Sequence, residues 1–187
     1  RMWCAESNSY PGSGEGSAGT YGIGIASKFP TASDKVFRTL GGRTILGARF
    51  NVHGHLVWVF SAHTAFVSNA NDNSRLNDFN AIVDFIATKT SAGDSIILTG
   101  DFNANRDVPM GNKDPEYGDM EVFWQQGYAD IWREVYPSIQ ADPGFTYYND
   151  RRIDYILTKN LPASWQIDEL KVLANPWCAV GKNDKGQ

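Results

Sequence analysis

Ser95-Ile96-Ile97-Leu98-Thr99-Gly100-Asp101-Phe102-Asn103 organises the reading of the whole chain. Ile96, Ile97 and Leu98 stand in a row, two of them β-branched, and predict a short strand buried on both faces. Gly100 ends that strand and permits a sharp turn. Asp101 and Asn103 follow on a loop at the strand's carboxyl end, where sheet proteins tend to hold reactive groups. A carboxylate and a carboxamide two residues apart bring an anionic acceptor and a donor–acceptor to one small volume. Such a pair suits a divalent cation, an attacking water or a phosphate oxygen. It equally suits a polar turn that closes a core strand, and these residues alone leave both readings open.

The surrounding chain has 187 residues, enough for one domain with a real core, and a single domain over residues 1–187 is expected. Charged residues are 20% and aromatic residues 13%, a globular rather than a disordered composition. No apolar run approaches the roughly 20 residues that span a bilayer, and no signal peptide is visible. The chain opens on Arg1-Met2, as it would if a true start had been removed by processing or cloning. The net charge of −4 argues against a general electrostatic binder of nucleic acid. It leaves room for a nuclease with a few local basic groups around a metal. Cys4 and Cys178 sit near opposite ends and are either two buried thiols or one end-to-end disulfide. The disulfide would indicate a secreted protein. Otherwise the compartment is open.

Outward from the opening stretch, the pattern is strand-rich on the amino side. A short strand at Arg1–Ala5 precedes the Gly/Ser-rich loop Ser7–Thr20. Tyr21–Ser27, the weaker Val36–Leu40, Arg43–Asn51 and Leu56–Ser61 read as strands, the last two joined through His53-Gly54-His55 as a hairpin. The chain is expected to leave the sheet at Ala62-His63-Thr64. Leu76, Phe79, Ile82, Val83 and Ile86 then recur at helical spacing, with Asp72, Asn73 or Ser74 as the cap. Strand, helix, strand predicts a right-handed crossover. Beyond the opening stretch come a long polar loop at Asn105–Gly118, a short helix at Asp119–Gln126 and a second helix at Tyr128–Tyr136. A turn at Pro143-Gly144, an extended arm at Phe145–Tyr148, a strand at Arg152–Leu157 and a last strand at Ile167–Leu173 complete the reading.

Two further residues bear on chemistry. Asp154 interrupts the alternation of Ile153, Tyr155 and Leu157, and a carboxylate within an apolar strand is costly unless paired or metal-bound. Its structural alternative is an ion pair with Arg151 or Arg152. His63 follows the strand ending Val59-Phe60-Ser61 and can move a proton near neutral pH. It too has a purely structural alternative. With Asp101 and Asn103 these residues form the set needed for metal-assisted attack of water on a phosphate ester.

GDFN at 100–103 and RIDYIL at 152–157 resemble the two signature segments of the endonuclease/exonuclease/phosphatase superfamily. YGIGIASKFP at 21–30, FSAHTAF at 60–66 and GYADIWREVYP with GFTYYNDRRIDYIL are similar to further family segments in the family's order. The resemblance runs from about Tyr21 to Leu173. It implies an α/β fold: a four-layer αββα sandwich of two mixed β-sheets flanked by helices. It also implies Mg2+- or Mn2+-dependent hydrolysis of a phosphate ester, either nucleic acid or a phospholipid or small phosphodiester. Carried over, Asp101 would orient or activate water and bind metal, Asn103 would hold the phosphate, His63 would assist at phosphate oxygens and Asp154 would buttress them. Arg43 resembles a common arginine with no role assigned. Two departures stand out. The family's metal-binding Glu has no match, Glu6 lying too close to the YGIGIAS segment, so an N-terminally truncated fold is expected. Of the terminal Ser-Asp-His segment, Asp184 would match the metal-binding Asp, but Lys185 stands where the His belongs. These departures keep an alternative open: a degenerate binding module on the same scaffold. A sheet edge left uncovered at the N-terminus further predicts a homodimer or strand exchange.

Overall fold

A two-residue turn sets the register of the longest hairpin among the described residues. His53 and Gly54 both have positive φ, 51° and 91°, as a two-residue turn matched to strand twist requires. That turn joins β4 (Arg43–Val52) to β5 (His55–His63) in an antiparallel pair running from Val52↔His55 to Thr44↔His63. The computed structural model describes residues 2–6, 22–67, 72–105, 118–146 and 151–172. Around the hairpin it adds β1 (Met2–Glu6), β2 (Gly22–Ala26) and β3 (Val36–Leu40) on the amino side. After β5 come α1 (Ser74–Lys89), β6 (Ser95–Asp101), α2 (Glu121–Gln125), β7 (Ala129–Asp130), α3 (Ile131–Val135) and β8 (Asp154–Lys159).

Six strands form one mixed sheet in the order β3-β4-β5-β6-β8-β7. The β5–α1–β6 unit supplies its parallel pair, and β8 returns antiparallel to β6. One face packs on helices. Phe60, Leu98, Tyr155 and Leu157 meet Phe79, Ile82 and Ile86 of α1 and Phe123 of α2 in a single apolar cluster. Each fully buried aliphatic or aromatic side chain of this kind contributes about 1.5–3 kcal/mol. On the opposite face Leu46, Ala48 and Phe50 of β4 meet Ile25 of β2, so the antiparallel β1–β2 pair forms a further layer. Helices, a mixed sheet and a second sheet make this an α/β sandwich. Among the described residues no helix is long and apolar enough to cross a membrane.

Several expectations change. Ile97 is only partly buried, unlike Ile96 at 3% and Leu98 at 0% exposure. The β1–β2 layer packs over β4 and leaves that face of β6 and β8 partly open. β5 continues through His63 rather than ending at Ser61, because His63 still pairs with Asp101. The helix expected over Tyr128–Tyr136 is confined to α3, since Ala129 and Asp130 pair with β8 first and Asp130 then caps α3 by accepting the Trp132 N–H. No strand forms over the described part of Ile167–Leu173. β7 covers one side of β8 only at Leu157 and Thr158, and the described residues 167–172 make no ladder with the strand beside them. Most of the 105–118 loop, the Cys178 end of the expected disulfide and Asp184 lie outside the described residues.

Candidate functional site

The registers place the chemistry in one row. His63 on β5 pairs with Asp101 on β6, and Asp101 pairs with Asp154 on β8. Residues directly opposite across neighbouring strands project to the same face. The same row reaches Thr44 on β4. It lies at one end of the sheet, on the face that carries Ile97 and Ile156 rather than on the helix-packed face.

Gly100 makes the row possible. Its φ is +148°, and a Cβ there would lie 1.9 Å from the Ala62 carbonyl oxygen of the parallel neighbour. Only a residue without a side chain brings β6 this close to β5 one position before Asp101. Asp101 Oδ1 then accepts the Asn103 N–H at 2.9 Å, closing the local turn that Asp favours. Asn103 sits at φ 48°, a left-handed conformation that Asn tolerates better than most residues. Its Nδ2 donates to the Thr64 carbonyl at 2.8 Å, which fixes the plane of the amide. One amide hydrogen is left for another acceptor.

The imidazole is held through Nδ1. Arg43 Nη1 lies 3.3 Å from His63 Nδ1. A guanidinium only donates, so Nδ1 accepts and the hydrogen of the neutral ring sits on Nε2. That Nε2 lies 3.7 Å from Asp101 Oδ2, too far for a direct hydrogen bond. Burial holds the His63 pKa below its usual value; the Arg43 charge lowers it further, and Asp154 opposes both. Burial likewise raises the Asp101 carboxyl, against the Asn103 N–H and the Arg43 charge. Asp154 is raised by partial burial and by the negative charge of Asp101, while the Thr146 hydroxyl and His63 pull it down. The row therefore joins a neutral imidazole to two mutually repelling carboxylates.

Asp154 is not buried within its strand as the apolar alternation suggests, nor does it form the alternative ion pair with Arg152. It is the first residue of β8 and exposed. Arg152 turns the other way and binds Asp130 through two hydrogen bonds of 2.9 and 2.6 Å, with both side chains at most 2% exposed. Thr146 instead anchors it, its Oγ1 accepting the Ile153 and Asp154 N–H groups at 3.1 Å each.

One residue that shapes the site escaped the sequence reading. Arg75, in the first turn of α1, is fully buried. Its Nη1 donates to the Asn103 carbonyl at 2.6 Å, and its Nε and Nη2 donate to Asp119 Oδ2 at 3.0 and 2.8 Å. A charged residue in a helix's first turn reads as solvated, so nothing in the local pattern marks it. Asp78, a turn later, accepts the Ala65 N–H at 2.8 Å and holds the segment after His63 to the same helix.

Comparison with known proteins agrees with this architecture. The sequence profile described as the Endonuclease/Exonuclease/phosphatase family matches residues 3–173. No curated protein sequence matches the chain. Among solved structures, an endonuclease/exonuclease/phosphatase from Beutenbergia cavernae is 21% identical with a TM-score of 0.60, over 84% of this chain and 45% of its own. The human Nocturnin catalytic domain with bound sulfate is 15% identical with a TM-score of 0.63, over 84% of this chain and 60% of its own. A mannosyl-6-phosphatase from Bacteroides thetaiotaomicron is 15% identical with a TM-score of 0.55, over 84% and 62%. The chain thus spans less than two thirds of the length of each of these structures, and at these identities the likeness concerns the fold.

Proposed function

The chain belongs to the endonuclease/exonuclease/phosphatase family, and on that premise we propose that it is a metal-dependent phosphoesterase of nuclease or phosphodiesterase type. The observation that carries the reading is the register that aligns His63, Asp101 and Asp154 on three neighbouring strands, with Asn103 fixed one turn away. In this reading the Nε2–H of neutral His63 donates to a phosphate oxygen, and Asn103 offers its remaining amide hydrogen to another. Asp101 orients a water for in-line attack and accepts its proton. Asp154 holds the polarity of the row and restrains the proton on His63. Each such acid–base or donor role typically contributes a hundredfold or more.

The residues present fit a water-rich Mg2+ or Mn2+ ion. Among the described residues no group of three His, Cys, Asp or Glu side chains forms a closed cage. Mg2+ does not need one, because it is commonly held by one or two carboxylates and keeps several waters. Asp101 would hold it, beside an Asp154 whose carboxyl is raised by the charge of Asp101, a repulsion that a cation relieves. Asp184, the other metal ligand suggested by the sequence, lies outside the described residues. When bound, the ion supplies a Lewis acid for the phosphate oxygens.

Plasmid DNA and a small phosphodiester, each incubated with Mg2+ or Mn2+, test the reading against Asp101→Asn and Asp154→Asn. A loss of about a hundredfold or more in both variants is expected. Equal rates in all three proteins would overturn it. No hydrolysis, with a calorimetric heat of Mn2+ binding that disappears in Asp101→Asn, would favour the binding-module alternative.

A further inference from the structure

On the Asp154 side of the row the sheet opens into a cavity of about 210 Å³. Its walls are apolar: Trp132 of α3, Ile156 of β8, and Leu170 and Val172 of the following segment, with Asp154 at the rim. Ile156 and Val172 are 41% and 40% exposed, so they present apolar surface to whatever enters. The polar groups in the wall are already occupied. Thr146 Oγ1 takes two backbone N–H groups. The Arg152 guanidinium is bound to Asp130, Trp132 Nε1 donates to the Asp142 carbonyl at 3.3 Å, and Lys171 pairs with Glu169. Gly144 completes the shape. Its φ is +64°, and a Cβ there would lie 2.4 Å from the Trp132 ring, so the indole keeps its place only beside a glycine.

We propose that this cavity is the subsite for an uncharged, apolar organic group carried on the phosphorus of the substrate, an inference that rests on the phosphoesterase reading. Charge and size both argue for it. Among the lining residues the Asp154 carboxylate and the exposed Lys171 ammonium, itself paired with Glu169 in solvent, offset one another, so the opening presents no net positive charge to grip a second phosphate of a continuing nucleic-acid backbone. An apolar group needs no charged partner and removes Ile156 and Val172 from water. A dry apolar cavity of about 150 Å³ accommodates benzene, so the volume here admits a ring or a short branched chain. The substrate class is then a small aryl or alkyl phosphate ester, phosphate at the row and organic group against Ile156.

Calorimetric titration of phenylphosphonate and methylphosphonate, with Mg2+ present, separates this subsite from catalysis. Phenylphosphonate is expected to bind about tenfold or more tightly. Ile156→Gln and Val172→Gln should each erase most of that preference while leaving methylphosphonate affinity and the thermal midpoint near wild type. Asp101→Asn should change the affinity for both ligands together. Equal affinities, no binding of either ligand, or a preference that survives both cavity variants would overturn the subsite. Retained preference in a protein inert toward every diester would instead remove the catalytic reading and keep the subsite.

Discussion

At the scale of single residues, the row trades stability for chemistry, and the trade has a sign. The Asp154 carboxyl is raised in the folded protein by partial burial and by Asp101. Folding therefore favours its protonated form. Its contribution to stability is full below the unfolded value of about 3.8 and is lost as pH rises through the raised folded value. Asp154→Asn should consequently be more stable than wild type at pH 7, by less than about 1 kcal/mol because solvent screens so exposed a group. The gain should shrink to nothing on acidification toward pH 3. Urea melts of both proteins at pH 7 and pH 4 measure it, and a variant less stable at pH 7 would show that the carboxylate stabilises the sheet end instead. His63 behaves oppositely: its lowered value means that its contribution is present above about 6.5 and lost as pH falls through the folded value. Residue types alone led to Asp101, Asn103, His63 and Asp154. Their shared row was invisible, because register is a property of strand pairs. The depth of Asp154 was misjudged because alternation tells which side a residue takes and nothing about how far along the sheet the cover extends.

At the scale of elements, the site loop is gripped by a helix rather than by its own strand. Arg75 ties the Asn103 carbonyl at the end of β6 to Asp119 ahead of α2, with no exposure of its own side chain. Removing Arg75 leaves Asp119 without its partner in a mostly buried setting. Arg75→Met should therefore cost about 3 kcal/mol, the low end for buried pairs because Asp119 keeps 21% of its surface. Denaturant melts read that loss. If the phosphoesterase reading holds, activity under folding conditions should also fall through a displaced Asn103. A melt within about 0.5 kcal/mol of wild type would show that the clamp is dispensable. The helix carrying Arg75 was legible from Leu76, Phe79, Ile82, Val83 and Ile86, since a 3.6-residue repeat needs no partner to be recognised. The segment Ile167–Leu173 shows the converse. It alternates like a strand, but a strand also requires backbone pairing with a neighbour, and alternation within one segment does not reveal whether a partner will pair with it.

At the scale of the whole molecule, charge constrains which phosphate esters can be served. The chain carries a net −4, and the arginines placed around the row are engaged: Arg43 at His63, Arg75 at Asn103 and Asp119, and Arg152 at Asp130. No track of basic groups on these residues extends from the row to follow a polyanion. A protein gripping a nucleic acid through about six phosphates loses on the order of a thousandfold in affinity between 50 and 200 mM salt, because each contact releases a counterion. A single phosphate contact loses only about threefold to fourfold over the same range. Repulsion between the acidic protein and an anionic ester is itself screened by salt, which pushes the rate the other way. The two effects oppose each other, so kcat/KM for a small phosphodiester should change by less than about fourfold between 50 and 200 mM salt. Initial rates across that series, at fixed Mg2+ and pH, measure the slope. A fall of several hundredfold would mean that several phosphates are held at once, and would move the substrate from a small apolar ester to a nucleic acid strand.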